Sequence, residues 1–478
     1  MNLSRRVYRL SPSQLSAETI AVTFAKTSRS PEPFDVIAAE LDAEKSAKFS
    51  EKWIVGYGHS SVAEHAILHL ALENVSRLAI ETIESNRLAS YTEKSTRYQE
   101  WNPKAYVIPQ EIVGSEFEER YGEVLDQLFQ TYADALVCLR PWSEANTPRN
   151  EGESEKVWAN RARVKAVDVA RFLLPAAAMA NVGVTINARA LEYAIRKMLS
   201  SELSELREIG SEVKAVATQE LPTLVKYANP IAYLDGVRAA FRKQADAITS
   251  EAGQDWCRLL QADPEGEDKV LAALLYRFGQ AGYEQCLQAV RLLPLEDKGR
   301  LVDNLFKGAT DFDVPLRELE YTSYDFDLVM DQGAYFEFKR HRMMSQTAQP
   351  LSARLGFAIP RAISEVGFEA RYRQAMNLAG ELYADLSEWN EETAAYVVPN
   401  GYNRRVLCRL NLRELFHFAK LRCSENAHFS IRRVARGMLE QVRQVHPLFC
   451  AKICVTDQET SESLTKAFFS ETAVPVSK

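Results

Sequence analysis

Two stretches decide how this chain folds: NLRELFHFAKLRC at residues 411–423 and NARALEYAIRKML at residues 187–199. Each opens on Asn-X-Arg, places a leucine two residues after the arginine, and continues with the apolar spacing of an amphipathic helix. A proline closes the pattern at Pro222 in one and Pro447 in the other, since proline cannot supply the amide hydrogen of a helix interior. The spacing predicts a long helix running from each asparagine towards its proline. Two such stretches in one chain indicate an internal repeat, and a repeat governs every later reading.

Working outward, an apolar segment ending in proline precedes each stretch: ARFLLP at 170–175 and AAYVVP at 394–399. Further upstream lie two loops rich in arginine and serine, SNRLASYTEKSTR at 85–97 and KRHRMMSQTAQPLSAR at 339–354. Before each loop comes an alternating segment, AEHAILHLALENV at 63–75 and LEYTSYDFDLVMD at 319–331. Period-two alternation predicts half-buried strands. SRLAIETIESNR and QGAYFEFKRHR then read as short helices. Strand, short helix, basic loop, proline segment and long helix therefore occur twice, in one order.

This order divides the chain into a first repeat at 1–235, a helical linker at 236–265 and a second repeat at 266–478. The segment SEANTPRNEGESEKVW at 143–158 is polar, with Gly, Pro and Asn, and reads as a surface loop. The fold class is α+β, two tandem repeats that each place a twisted sheet against long helices.

The composition agrees. A chain of 478 residues holds two or three domains at roughly 100–200 residues each. Its 46% hydrophobic and 26% charged content suits a globular protein with a large core. The net charge of −7 argues against a general nucleic-acid binder. No apolar run approaches the ~20 residues that span a bilayer. The opening MNLSRRVYRLSPSQ has no apolar run behind its arginines, so a secretory leader is not expected. Seven scattered cysteines, with only Cys450 and Cys454 close together, do not make a zinc pattern and read as free thiols of a reducing cytoplasm.

Taken together, RHR, a serine-containing stretch, SAR, VVP and NLRELFHF…LR resemble the flavin-dependent thymidylate synthase family, over most of both halves. The resemblance implies reductive methylation of dUMP or a related pyrimidine nucleotide, using FAD, with NADPH and methylenetetrahydrofolate as co-substrates. It also implies shared active sites, and a homodimer whose four repeats imitate the family's tetramer. In the second half Arg340, His341 and Arg342 match the family's flavin-binding triplet. Asn411 and Arg413 match its Asn-X-Arg, and Glu320 falls where a glutamate lies near the flavin. Arg422 matches the arginine facing the pyrimidine base. Departures are Ala395 in place of a phosphate-binding arginine, Gln349 or Pro350 in place of the loop glutamate, and a two-residue insertion before Ser352 and Arg354.

The first half departs in the opposite places. Glu93, Ser95 and Arg97 match the nucleotide loop, and Arg171 matches the phosphate arginine that the other half lacks. His59 and Glu64 match an upstream His and Glu of the family, and His59 joins Arg422 as a candidate catalytic residue. Ser85 and Asn86 replace two members of the triplet, leaving Arg87, and Met198 replaces the base-facing arginine. The chemistry is consistent with this division. Arginine forks and hydroxyls suit a nucleotide phosphate, and clustered cations suit a reduced flavin and its diphosphate. The expectation is an enzyme whose sites draw on both repeats. The alternative is a non-catalytic flavin- or nucleotide-binding scaffold, which the altered second loop favours.

Simpler roles compete for several of these residues. RHR at a helix end offsets the helix dipole, and Asn187 and Asn411 serve as helix caps. Arg171 pairs with Asp168. His65, His69 and His428 read as packing residues, and His446 has no evident role.

Overall fold

The computed structural model describes residues 6, 8–28, 30–52, 60–245, 247–248, 255–310, 312–456 and 458–472. Its contacts divide the chain into two compact units. One comprises Met1–Lys94, Tyr106–Glu118 and Ala177–Ser250, and the other Ser95–Ala105, Glu119–Ala176 and Glu251–Lys478. The second unit therefore takes in two segments that the sequence assigns to the first repeat.

The first unit holds strands β1 (Ile67–Ser76), β2 (Ala89–Glu93) and β3 (Met179–Asn187), antiparallel in the order β1-β3-β2. The second holds β4 (Cys257–Ala262), β5 (Ser323–Asp331), β6 (Ser345–Ala348), β7 (Ile359–Pro360), β8 (Asn403–Asn411) and β9 (Phe469–Glu471). β4, β5, β8 and β6 form an antiparallel sheet in that order, and β7 pairs with β9. The run β5-β8-β6 repeats β1-β3-β2. The fold is α+β, and the two repeats share one element order.

Alternation builds these sheets. In β5, Tyr324, Phe326, Leu328 and Met330 are buried while the residues between them are not fully so. They join Val406, Cys408, Leu410, Phe418 and Met438 in the core of the second unit. Each large side chain buried there contributes about 1.5–3 kcal/mol. β1 and β5 each end on a side chain that caps the next helix. The Ser76 hydroxyl accepts from the Ala79 amide and the Asp331 carboxylate from the Ala334 amide, starting helices Arg77–Ile83 and Gln332–Phe338.

The expected long helices are each broken. Ala188–Leu199 is followed by Ser204–Glu220, and Leu412–Arg422 by Phe429–Val445. The breaks fall at Ser200–Ser201 and at Ser424–His428, where polar side chains bond to nearby backbone instead of continuing the helix. The polar segment 143–158 is loop only in its middle, because helix Glu118–Ala145 runs into it and Glu155–Ala170 begins within it. The linker expected to be helical is helix to Ala245 and then strand β4.

Within the second unit, segments of the two repeats pack directly. Helices Glu118–Ala145 and Glu369–Trp389 are tied by the ion pairs Arg120–Asp385 and Asp134–Arg371. The two proline segments bridge at Pro175 and Pro399, with the Ala176 amide donating to the Val398 carbonyl at 3.0 Å and the Asn400 amide to the Leu174 carbonyl at 3.0 Å. This seam carries residues of both repeats to one place.

Candidate functional site

The serine of the first basic loop sets up its arginine. The Ser95 hydroxyl accepts from the Arg97 amide at 3.2 Å. The Arg97 guanidinium then forks onto Asp168, with Nε to Oδ1 and Nη2 to Oδ2 both at 2.8 Å, and Nη1 donates to the Asn426 carbonyl at 3.0 Å. Two short parallel bonds of this kind are strong and directional. Burial works against the charge on Arg97. The hydrogen bonds and charge of Asp168, with the charge of Glu337, outweigh it and hold the proton above the usual arginine range.

Arg171 follows Asp168 by three residues, at the end of helix Glu155–Ala170, and is 2% exposed. Its contacts are long: Nη1 to Thr96 Oγ1 at 3.4 Å, and Nη2 to the Gly333 carbonyl at 3.4 Å and to Glu337 Oε1 at 3.3 Å. Its buried Nε has no hydrogen-bond partner.

Helix Gln332–Phe338 is buried along its whole length, and Glu337 lies within it. A carboxylate there requires a cation. It has two, Arg171 on Oε1 and Arg422 Nη1 on Oε2 at 3.1 Å. Arg422 ends helix Leu412–Arg422, and its Nε donates to His341 Nε2 at 2.9 Å. An imidazole nitrogen that accepts carries no proton, so the proton is on Nδ1, which donates to Glu414 Oε1 at 3.1 Å. Burial, with the nearby charge of Arg422, lowers the His341 pKa against the pull of Glu414, and the ring is neutral at pH 7. Burial also lowers the Arg422 pKa, opposed by Glu337 and reinforced by the charges of Arg340 and Arg97. His341 additionally meets Phe418 edge to face at 4.8 Å. Packing and hydrogen bonds fix its ring, and both nitrogens are engaged, so it holds Arg422 in place.

The structure thus joins Arg97, Arg171, His341 and Arg422, which come from both repeats, through Asp168, Glu337 and Glu414 within one compact unit. Arg340 is exposed and Arg342 half-buried, on the turn after helix Gln332–Phe338. Asn411 caps helix Leu412–Arg422, its side chain accepting from the Glu414 amide at 2.8 Å. Arg413 pairs with Glu320 at 2.8 Å and donates to the Pro315 carbonyl at 2.8 Å. Glu93 belongs to the first unit, where it pairs with the buried Arg77 at 3.7 Å. His59 lies outside the described residues. Arg171 pairs with Glu337, and Asp168 is taken by Arg97. His428 is fully buried, accepts from the Ser430 amide on Nδ1 and donates from Nε2 to the Asp168 carbonyl at 3.0 Å, which ties the two segments together.

Glu337 and Glu414 are absent from the sequence reading. A lone glutamate inside the apolar run AYFEF is the signal that would have found Glu337, because a buried carboxylate demands partners. The strands locate the loop insertion. Glu93 pairs with Val182 and Ala348 with Val406, five residues before Asn187 and Asn411 respectively. Ala348 therefore stands where the first repeat has its loop glutamate, and the two extra residues lie between Ala348 and Arg354. Among the described residues no three His, Cys, Asp or Glu side chains gather as a metal site, and no helix is long and apolar enough to cross a membrane.

The sequence matches the family described as "Thymidylate synthase complementing protein" twice, over residues 10–223 and 258–448. It is 30% identical over 434 residues to the "UPF0159 protein" of Chlamydia muridarum, covering 87% of this chain and 82% of that one. It is 29% identical over 214 residues to the flavin-dependent thymidylate synthase of Clostridium tetani, covering 45% of this chain and 82% of that protein. It is 27% identical over 199 residues to the flavin-dependent thymidylate synthase of Thermococcus onnurineus, covering 40% of this chain and 71% of that one.

Proposed function

The chain belongs to the thymidylate synthase complementing protein family, and from that premise we propose that it is a flavin-dependent thymidylate synthase-like methyltransferase. Its reaction is the reductive methylation of dUMP or a related pyrimidine nucleotide, with methylenetetrahydrofolate as carbon donor and NADPH as reductant. The observation that carries this reading is the pair Arg97–Asp168 and, coupled to it by charge, the chain of bonds from Arg171 through Glu337 to Arg422 and His341. Arg97 and Arg171 of the first repeat and His341 and Arg422 of the second thus lie in one compact unit of one chain, which supports this reading.

The residues present fit the groups implied. Arg171, buried with an unpartnered Nε, suits a phosphate. Arg340, exposed, and Arg342, half-buried, carry cations on the turn after helix Gln332–Phe338, and a flavin diphosphate would be met there by charge-assisted bonds. FAD, when bound, supplies the hydride chemistry. The protein's own part is to hold the nucleotide against Arg97, Arg171 and Arg422, and His341 keeps Arg422 aimed. We further place the protein in the cytoplasm as a homodimer, four repeats in all.

A flavin- or nucleotide-binding scaffold without turnover is the second reading. The exposed pairing of Arg354 with Glu391 in the lengthened second loop favours it. The test is to purify the protein, record flavin absorbance, and add dUMP. The enzyme reading expects bound flavin, a spectral change with dUMP, and flavin oxidation when folate and dUMP are both supplied after reduction by NADPH. Arg340→Ala should weaken flavin binding about ten- to a hundredfold, the worth of one charged hydrogen bond. Flavin binding without turnover selects the scaffold, and a protein that binds neither flavin nor dUMP ends both readings.

A further inference from the structure

The two arginines at the centre of the site share a single carboxylate. Arg97 is satisfied by Asp168 through two bonds of 2.8 Å. Arg171 and Arg422 share an ion pair with Glu337, at 3.3 and 3.1 Å, while Asp168 and Asp331 act on Arg171 through charge alone. All three side chains are largely or fully buried, with the Glu337 side chain 6% exposed and that of Arg171 3%. A buried ion pair of good geometry has N···O distances of about 2.7–2.9 Å. Arg171 has none that short, and its Nε has no partner. It is held in place by several long bonds. Arg422, by contrast, is fixed from two directions, by Glu337 and by the His341 ring.

We propose that Glu337 sets the anion affinity and selectivity of this site. Its carboxylate engages Arg171 and Arg422 as a ligand anion would, and a phosphate monoester binds by drawing Arg171 away from it. This rests on reading Arg171 as the phosphate-binding arginine. Glu337 weakens the hold on an entering anion, because the phosphate and the carboxylate compete for the same guanidinium. Glu337 is then a specificity-determining residue: it discriminates by ligand charge and leaves neutral ligands unaffected.

The test uses the full-length chain and three probes, inorganic phosphate, dUMP and the uncharged nucleoside deoxyuridine, titrated by calorimetry. Glu337→Gln keeps the side-chain size and removes the charge. It should bind phosphate and dUMP at least tenfold more tightly than the wild type, with deoxyuridine unchanged. Glu337→Asp cannot span both arginines and should show a smaller gain of the same sign. A purely structural glutamate predicts the opposite, lower stability and weaker binding of all probes, and unchanged or weaker phosphate binding in the variants overturns the proposal. Should neither variant fold, the wild type soaked in phosphate decides. Arg171 is expected on the phosphate, and a bound phosphate with the Arg171–Glu337 pair intact, or lacking Arg171 altogether, overturns it. Wild-type turnover of dUMP without a phosphate gain in Glu337→Gln removes this inference and leaves the enzyme reading. A phosphate gain in a protein that binds no flavin does the reverse.

Discussion

The two repeats share one scaffold and differ in the charged side chains it carries. Both use an asparagine, Asn187 or Asn411, to cap the helix after the third strand. Both also tie the middle of the triplet position to the end of that helix. In the second repeat the Arg422 Nε donates to His341 at 2.9 Å. In the first the Lys197 amine donates to the Asn86 side-chain carbonyl at 3.0 Å, from one position earlier on the helix. The loop arginines diverge likewise. Arg97 forks onto Asp168 in the interior, whereas Arg354 meets Glu391 with 63% of its side chain exposed. Arg171 is buried against Glu337, and Ala395 stands in its place in the other repeat. The tie between loop and helix survives where the cation pattern has gone. The two repeats thus share the tie and differ in the arginines.

The largest effect that can break this comparison comes from separating the two sets. Arg97→Ala and Arg422→Ala should each abolish turnover, since one removes the fork of the nucleotide loop and the other the cation held by Glu337 and His341. Both residues lie in one compact unit of one chain. Mixing the two inactive variants should therefore restore no activity. Recovery on mixing would place each working site across two chains. Full turnover by Arg97→Ala, with Arg354→Ala inactive, would move the nucleotide loop to the second repeat and reduce the first to a scaffold.

Much of this was open to reading in the sequence. Alternation at 63–75 and 319–331 foretold β1 and β5, and the Asn-X-Arg stretches foretold the capped helices, because period and capping are local properties. The interruption of each long helix was not legible. Apolar spacing continues across Ser200–Leu203 and Cys423–His428, while the polar side chains that stop the helix act through bonds the spacing does not reveal. The compact units were equally hidden. That residues 95–105 and 119–176 pack with the second repeat follows from long-range contacts such as Arg97–Asn426 and Pro175–Pro399. The resemblance suggested a flavin contact for His341, and the structure adds a bond from its ring to Arg422 that the sequence does not reveal.

A smaller effect follows from where the histidines lie. His341, His428 and His446 of the second repeat are buried, and burial lowers the pKa of each, that of His428 well below the usual value. His65 and His69 of the first repeat are exposed. A histidine whose folded pKa lies below its unfolded value of about 6.5 contributes stability that is complete above that pH and is lost as pH falls through the folded pKa. Unfolding midpoints in urea should drop between pH 7.5 and 5.5, with the second unit opening first. Asp331 works in the other sense, because burial raises its carboxyl and it takes up a proton earlier in the folded state. His428→Asn should flatten the pH dependence. A midpoint unchanged over this range would show that these rings take up protons in the folded protein as readily as in the unfolded chain.

The smallest effect is the sharpest test of what the two asparagines share. Each side chain accepts from the amide three residues on, 2.9 Å from Ala190 for Asn187 and 2.8 Å from Glu414 for Asn411. Replacing either by alanine leaves a helix amide unsatisfied and should cost about 1 kcal/mol. The cap alone makes the two variants equivalent in stability and leaves flavin affinity unchanged. A second role for Asn411 in the flavin site predicts that Asn411→Ala loses flavin and Asn187→Ala does not. Aspartate separates the two contributions, since it caps a helix about as well as asparagine does but brings a negative charge and no amide donor. Asn411→Asp should therefore recover the stability lost in Asn411→Ala, and its flavin affinity decides the rest. If flavin binding returns with stability, Asn411 is a cap and nothing more, and the difference between the repeats lies in the arginines alone. If stability returns and flavin binding does not, the asparagine that looks the same in both repeats has a ligand to meet in only one of them.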